Sequence, residues 1–190
     1  MAVPQVWRGS PLHAAIRNND VVGVSQLLQR DADPNEKDTL GNTPLIAALS
    51  PSALLEPLPT DDPSGRRAEI QREHAARIRM IADLLRAGAN PSLAGSRGMT
   101  PLIALAHWGY TSTADLRLLD DLVARGAKLD AQNDDGDTAL IVAARRGKVE
   151  MVQALLKRGA SATLTNCAGQ TPAAAGAKHP AVVRILSGNR

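Results

Sequence analysis

The chain has 190 residues, enough for one domain of ordinary size. Apolar residues make up 44% but aromatic ones only 2%, with no Phe, which argues against a single ring-rich core and for thin layers of Ala and Leu. The net charge of +3 is built from mixed signs, without the concentrated basic stripe expected of a nucleic-acid binder.

In chain order, Trp7 is placed to pack against the first structural unit as part of an N-terminal cap. A six-residue phrase then recurs five times: SPLHAA from Ser10, TPLIAA from Thr43, TPLIAL from Thr100, TALIVA from Thr138 and TPAAAG from Thr171. Successive starts lie 33, 57, 38 and 33 residues apart. A period of this length predicts stacked supersecondary units, each too small to bury its own apolar face. Each phrase predicts a short first helix. Thr43, Thr100 and Thr138 can cap it, and Pro44 and Pro101 suit its first turn, where no amide donor is missed.

A second landmark is an aliphatic pair near the end of a second helix: Leu27-Leu28, Leu84-Leu85, Leu122-Val123 and Leu155-Leu156. The second helix is expected to stop at Gly88, Gly126 and Gly159, with Asp31 taking that place in the first unit at the cost of left-handed strain. From each pair to the next phrase is always 16 residues, whereas phrase to pair varies as 17, 41, 22 and 17. The polar connection carrying Gly41, Gly98, Gly136 or Gly169 is therefore fixed in length, as a turn that pairs with its neighbours must be. All growth occurs at the helix–helix tips, which face solvent.

Two tips are enlarged. Residues 51–65 carry Pro51, Pro57, Pro59 and Pro63, which exclude a regular helix; the segment reads as an exposed loop, or as a docking element through Leu54, Leu55 and Leu58. Residues 66–86 then predict a long second helix with an apolar stripe of Ala68, Ala75, Ile78, Ile81, Ala82 and Leu85. Its arginines (Arg66, Arg67, Arg72, Arg77 and Arg79) outweigh Glu69 and Glu73 and read mainly as a solvated face. In the third unit the extra residues lie around Tyr110 to Asp115, where Ser112 or Thr113 caps the next helix and Asp115 favours its N-terminal dipole.

Phrase, pair and turn together resemble the ankyrin repeat, T-P-L-H-x-A with a 33-residue period. Gly88-Ala89-Asn90-Pro91, Gly126-Ala127 and Gly159-Ala160 are similar to that family's stretch after the second helix. The phrase carries His only at His13; Ile46, Ile103 and Ile141 replace it elsewhere, and the last unit is about two residues short, ending near Leu186. The resemblance implies an all-α solenoid of about five helix–turn–helix units joined by β-hairpin-like turns. It is expected as a single domain over residues 1–190, with units near 6–38, 39–95, 96–133, 134–166 and 167–190.

No catalytic set is legible. Cys167 falls in the variable part of a turn, without an activating His nearby in sequence. His13, His74, His107 and His179 show no ligand spacing. Asp134, Asp135 and Asp137 around Gly136 lack the calcium-loop pattern. Neither a metal nor a cofactor is implied. The resemblance instead implies a non-enzymatic module that binds a protein through turn tips and first-helix ends. By register these are Leu40, with Thr39 and Asn42; Arg97 and Met99, with Ser96; Asp134, Asp135 and Asp137; and Ala168 with Gln170. The helix ends add Arg17 with Asn18, then His107 and Trp108, then Arg145 and Arg146.

Trp108, followed by Tyr110, stands out, because Trp, Tyr and Arg are the usual interface anchors. It either anchors a partner together with Arg97, Arg145 and Arg146, or is folded under the neighbouring insertion. A bacterial inhibitor, immunity factor or effector fits the binding reading, the bacterial element resting on 17 Arg against 5 Lys. The alternatives are a nucleic-acid-associated protein using residues 66–86, and an enzyme with a site at the insertions near His74 or His107. One cysteine excludes an internal disulfide. The N-terminus lacks a leader-like apolar run and no stretch would cross a membrane, so a cytoplasmic monomer is expected.

Overall fold

A computed structural model describes residues 10–50, 63–109 and 111–188, with side chains of 63–67 excepted. Trp7, Tyr110, residues 51–62 (Leu54, Leu55 and Leu58 among them), and the side chains of Arg66 and Arg67 lie outside the described residues. Helices come in pairs: α1 (Pro11–Arg17) with α2 (Val21–Gln29), α3 (Pro44–Leu49) with α4 (Pro63–Arg86), α5 (Pro101–Trp108) with α6 (Thr113–Ala124), α7 (Ala139–Arg145) with α8 (Val149–Lys157), and α9 (Pro172–Ala175) with α10 (Pro180–Gly188). The described residues contain no strand. The chain forms two compact units, Met1–Asn90 and Pro91–Arg190.

Each phrase starts a helix for the anticipated reason. The hydroxyls of Thr43, Thr100, Thr138 and Thr171 accept bonds from the amides three residues on, at 3.2–3.3 Å. Ser10 does not cap α1. Its hydroxyl donates instead to His13 Nδ1 at 3.0 Å, while His13 Nε2 donates to the Asn42 carbonyl at 3.0 Å. Burial pushes this imidazole's pKa down, opposed by its bond to Asn42.

In the C-terminal unit, α7 packs on α5 and on α9, so the first helices form one layer. The layer is thin because Ala104, Ala106, Ala143 and Ala144 are all buried at contacts where larger side chains would hold the helices apart. Leu102, Ile103, Leu105, Leu140 and Ile141 fill it, and Leu119, Leu122, Met151 and Leu155 close it from the second helices. In the N-terminal unit α1 packs on α3, and α2 on α4. Val182 and Leu186 bury the inner face of α10, while Arg184 is exposed on its outer side.

Second helices stop as expected: Gly88, Gly126 and Gly159 have φ of 91°, 94° and 92°, and Asp31 takes 61° in their place. Two backbone bonds close each fixed-length turn: one from Asp38 to Asn42, Gly95 to Met99, Asn133 to Asp137 and Asn166 to Gln170, at 2.8–3.1 Å, and one inside it from Gly41 to Asp38, Met99 to Ser96, Gly136 to Asn133 and Gly169 to Asn166, at 2.9–3.1 Å. They are hairpin-like in this pair of bonds. Asp38, Asn133 and Asn166 brace their turns, each side-chain oxygen accepting from two backbone amides ahead of it. These three occupy one register position, a signal already present in the sequence. The second turn has Gly95 there instead, and its backbone tightens into a short 3-10 turn, Ser96–Gly98, with Arg97 left-handed at φ 54°.

Two expectations need correction. Helix α4 begins at Pro63 rather than Arg66, because proline at a first helical position loses no hydrogen bond. Its expected stripe runs too far toward the N-terminus. Ala68 and Ala75 are exposed, and the buried side chains are Met80, Ile81, Leu84 and Leu85, near the helix end where α2 and α3 pack.

The α6 start is a capping box. Ser112 Oγ accepts from the Asp115 amide, and the Asp115 carboxylate accepts from the Ser112 amide at 2.9 Å. Ser112→Ala is expected to lower the unfolding free energy by about 1 kcal/mol in chemical denaturation.

Candidate partner-binding surface

In the Pro91–Arg190 unit the turn tips are tied to one another in register. The Asp134 amide donates to the Arg97 carbonyl at 3.1 Å, and the Cys167 amide donates to the Asp135 carbonyl at 3.0 Å. Glycine is required where these strips meet. A Cβ on Gly136 would lie 2.6 Å from the Cys167 nitrogen, and one on Gly98 2.9 Å from the Asp134 nitrogen. Along this edge the exposed Arg97 guanidinium pairs with Asp135 at 3.1 Å. Asp134 is exposed, Met99 half-buried, and Cys167 exposed with Sγ 3.7 Å from the Asp134 carbonyl.

Asp137 is placed differently from its neighbours. Register set it beside Asp134 and Asp135 on the open edge, yet it is buried at 5% exposure. Its carboxylate accepts two bonds from Arg145, at 2.5 and 2.7 Å, and one from Asn166 at 2.9 Å. Burial alone would raise its pKa, but the bonds from Arg145 and Asn166 outweigh it and hold the carboxyl below its ordinary value. The Arg145 pKa is raised, first by its bond to Asp137. A fork-on-fork pair of this kind joins a helix end to a turn stem, so it connects the two rows of expected contact residues.

The ends of α5 and α7 bring together residues far apart in the chain. The His107 and Trp108 rings lie 4.7 Å apart at a 46° tilt. The exposed Arg146 guanidinium donates to His107 Nε2, which as an acceptor leaves the ring proton on Nδ1. Trp108 is half-buried. Lys148, which sequence reasoning missed, donates to the carbonyls of His107 at 3.1 Å and Gly109 at 2.6 Å. It thereby satisfies the free carbonyls at the end of α5. No sequence signal could have found it, because its partners lie some 40 positions earlier and are backbone atoms. Burial, then Arg146, push the Lys148 pKa down to about 8, with Asp115 opposing. The His107 pKa is lowered by burial first, then by Arg146, Lys148 and Arg145.

Other expected residues fall elsewhere. Leu40 tips its turn at 61% exposure and Arg17 is half-buried at the end of α1, both in the Met1–Asn90 unit. On α4, Arg72 and Arg79 are exposed while Arg77 pairs with Glu73 at 3.4 Å. Among the described residues no three His, Cys, Asp or Glu side chains gather as metal ligands, and no helix is long and apolar enough to cross a membrane.

The profile for three successive ankyrin repeats matches residues 73–166 and 112–190, and the single-repeat profile matches residues 9–39. The chain belongs to the ankyrin-repeat family. Human neurogenic locus notch homolog protein 1 is 31% identical over 161 residues, covering 85% of this chain and 5% of that protein. Human SH3 and multiple ankyrin repeat domains protein 2 is 27% identical over 197 residues, covering 83% of this chain and 11% of that protein. A palmitoyltransferase of Lachancea kluyveri is 28% identical over 147 residues, covering 70% of this chain and 19% of the enzyme. The chain thus spans a small fraction of these relatives. Ankyrin repeats generally mediate protein–protein interaction, and this chain carries the repeat along most of its length.

Proposed function

We propose that the chain is a non-enzymatic binding module that grips a protein partner on the turn-tip and helix-end face of its C-terminal unit. The observation that carries this reading is the cluster of Trp108, His107 and Arg146. It joins a half-buried aromatic ring to an exposed guanidinium across 39 positions of sequence. Aromatic and arginine side chains held in place by their neighbours lose little freedom on binding, which is what an interface anchor needs. Arg97 and Asp134 extend the same face along the turns.

Blocking a toxin, an enzyme or a host protein by covering it uses this physical act alone, so binding on this face is compatible with an inhibitor, immunity or effector role. An exposed single thiol at Cys167 suits a reducing compartment such as the cytoplasm. The nucleic-acid reading draws less support, since the exposed arginines of α4 are interleaved with Glu69, Glu73 and Asp83.

Trp108→Ala is expected to weaken binding to a partner captured from the source cell by about 2 kcal/mol, with the melting temperature unchanged. Retained affinity with a lowered melting temperature would make Trp108 a packing residue and remove the main support for this face.

A further inference from the structure

The charges around Trp108 do not cancel. Arg145 is neutralised by Asp137, and Arg97 by Asp135. Arg146 and Lys148 differ: among the described residues their contact partners are a neutral imidazole and two backbone carbonyls. An unmatched cation held in place is set to receive an anion, and a half-buried one is screened less by salt than one in open solvent. From α7 and the turn after it, His107 faces Arg145, Arg146 and Lys148; from α6, the Asp115 carboxylate acts on Lys148 with opposite sign.

We infer that the binding face takes an acidic peptide segment, with carboxylates placed against Arg146 and Lys148 beside the ring of Trp108. The inference rests on the proposed function and names the partner's chemistry. A peptide fits better than nucleic acid. Two cations and one ring make a compact site, whereas a phosphate backbone needs a run of cations, and the neighbouring turn tip carries the exposed Asp134. Carboxylate binding favours the charged form of Lys148, so affinity should fall as pH rises and that charge is lost near pH 8.

The test uses the whole chain carrying Trp7→Phe, so that Trp108 alone reports. The probe is a short blocked polyaspartate at low salt, with polyasparagine of equal length as control. Polyaspartate should shift the fluorescence saturably and polyasparagine should not. Arg146→Ala should weaken it about five-fold, the scale of an exposed charge pair. Lys148 also caps α5, so the informative variant there is Lys148→Arg, which keeps the charge. Binding should persist and the alkaline loss disappear. Equal binding of both peptides, no effect of Arg146→Ala, or displacement of polyaspartate by a single-stranded DNA oligonucleotide at equal charge would each overturn the inference. If the captured partner still depends on Trp108 while polyaspartate fails, the binding face stands and only its acidic preference falls. If the partner ignores Trp108, the proposed function falls as well.

Discussion

Asp137→Ala is expected to destabilise the protein by about 2 kcal/mol, read from the midpoint of urea or guanidinium unfolding. The substitution removes both bonds to the Arg145 guanidinium, which at 43% exposure turns to solvent, and leaves the Asn166 amide, fixed in its turn, with an unfilled donor. Asp137→Asn retains the shape and is expected to recover only a small part of the loss, since the bidentate charged pair cannot re-form. The pH dependence has a definite sign. Asp137 titrates in the folded protein below its ordinary value of 3.8. Its contribution is therefore fully present above about pH 4 and is lost as pH falls through the lower folded-state value. That part of the acid destabilisation should be missing from Asp137→Asn. The same variants separate roles: Asp134→Ala, at an exposed tip, should leave stability within about 0.5 kcal/mol of the parent.

Gly136→Ala should cost about 3 kcal/mol, whereas Gly169→Ala should cost about 1 kcal/mol, both measured by chemical denaturation. The two glycines have nearly the same φ, 73° and 71°, so backbone strain alone predicts equal effects. They differ in what lies beyond them. Nothing comes within 4 Å of a Cβ on Gly169, while one on Gly136 meets the Cys167 amide nitrogen at 2.6 Å and the Asn166 Cα at 3.0 Å. A backbone neighbour cannot swing aside as a side chain can. Relief would require parting the two turns and breaking the bond from Cys167 to Asp135. Equal losses at the two sites would show that turn-to-turn packing carries no strain.

Asp137 and Gly136 also mark where sequence reasoning stopped. The glycine was legible from register, and so was its turn, because a fixed 16-residue spacing allows no other use of a repeated glycine. Its second role depends on which backbone passes beside it. By register Asp137 belongs to an acidic row, yet only tertiary contact with Arg145 and Asn166 explains its burial. Lys148 shows the same limit more sharply, since its partners are carbonyl oxygens that every residue carries. The extent of α4 failed for a different reason. Periodicity finds an apolar stripe anywhere that Ala recurs, but burial requires a neighbour, and the packing of α2 and α3 leaves Ala68 and Ala75 uncovered.

By itself the sequence determined the repeat, its helix starts and stops apart from the start of α4, the constant length of its turns and the varying length of its tips. These are local matters of caps, φ preferences and spacing, set by residues within a few positions of one another. Only the tertiary structure decided which charges cancel and which remain. Arg145 and Arg146 are adjacent and alike in sequence, yet one is neutralised by Asp137 and the other rests on the neutral ring of His107. The difference arises because consecutive residues at a helix end point in different directions, one toward its own turn and the other toward the preceding repeat.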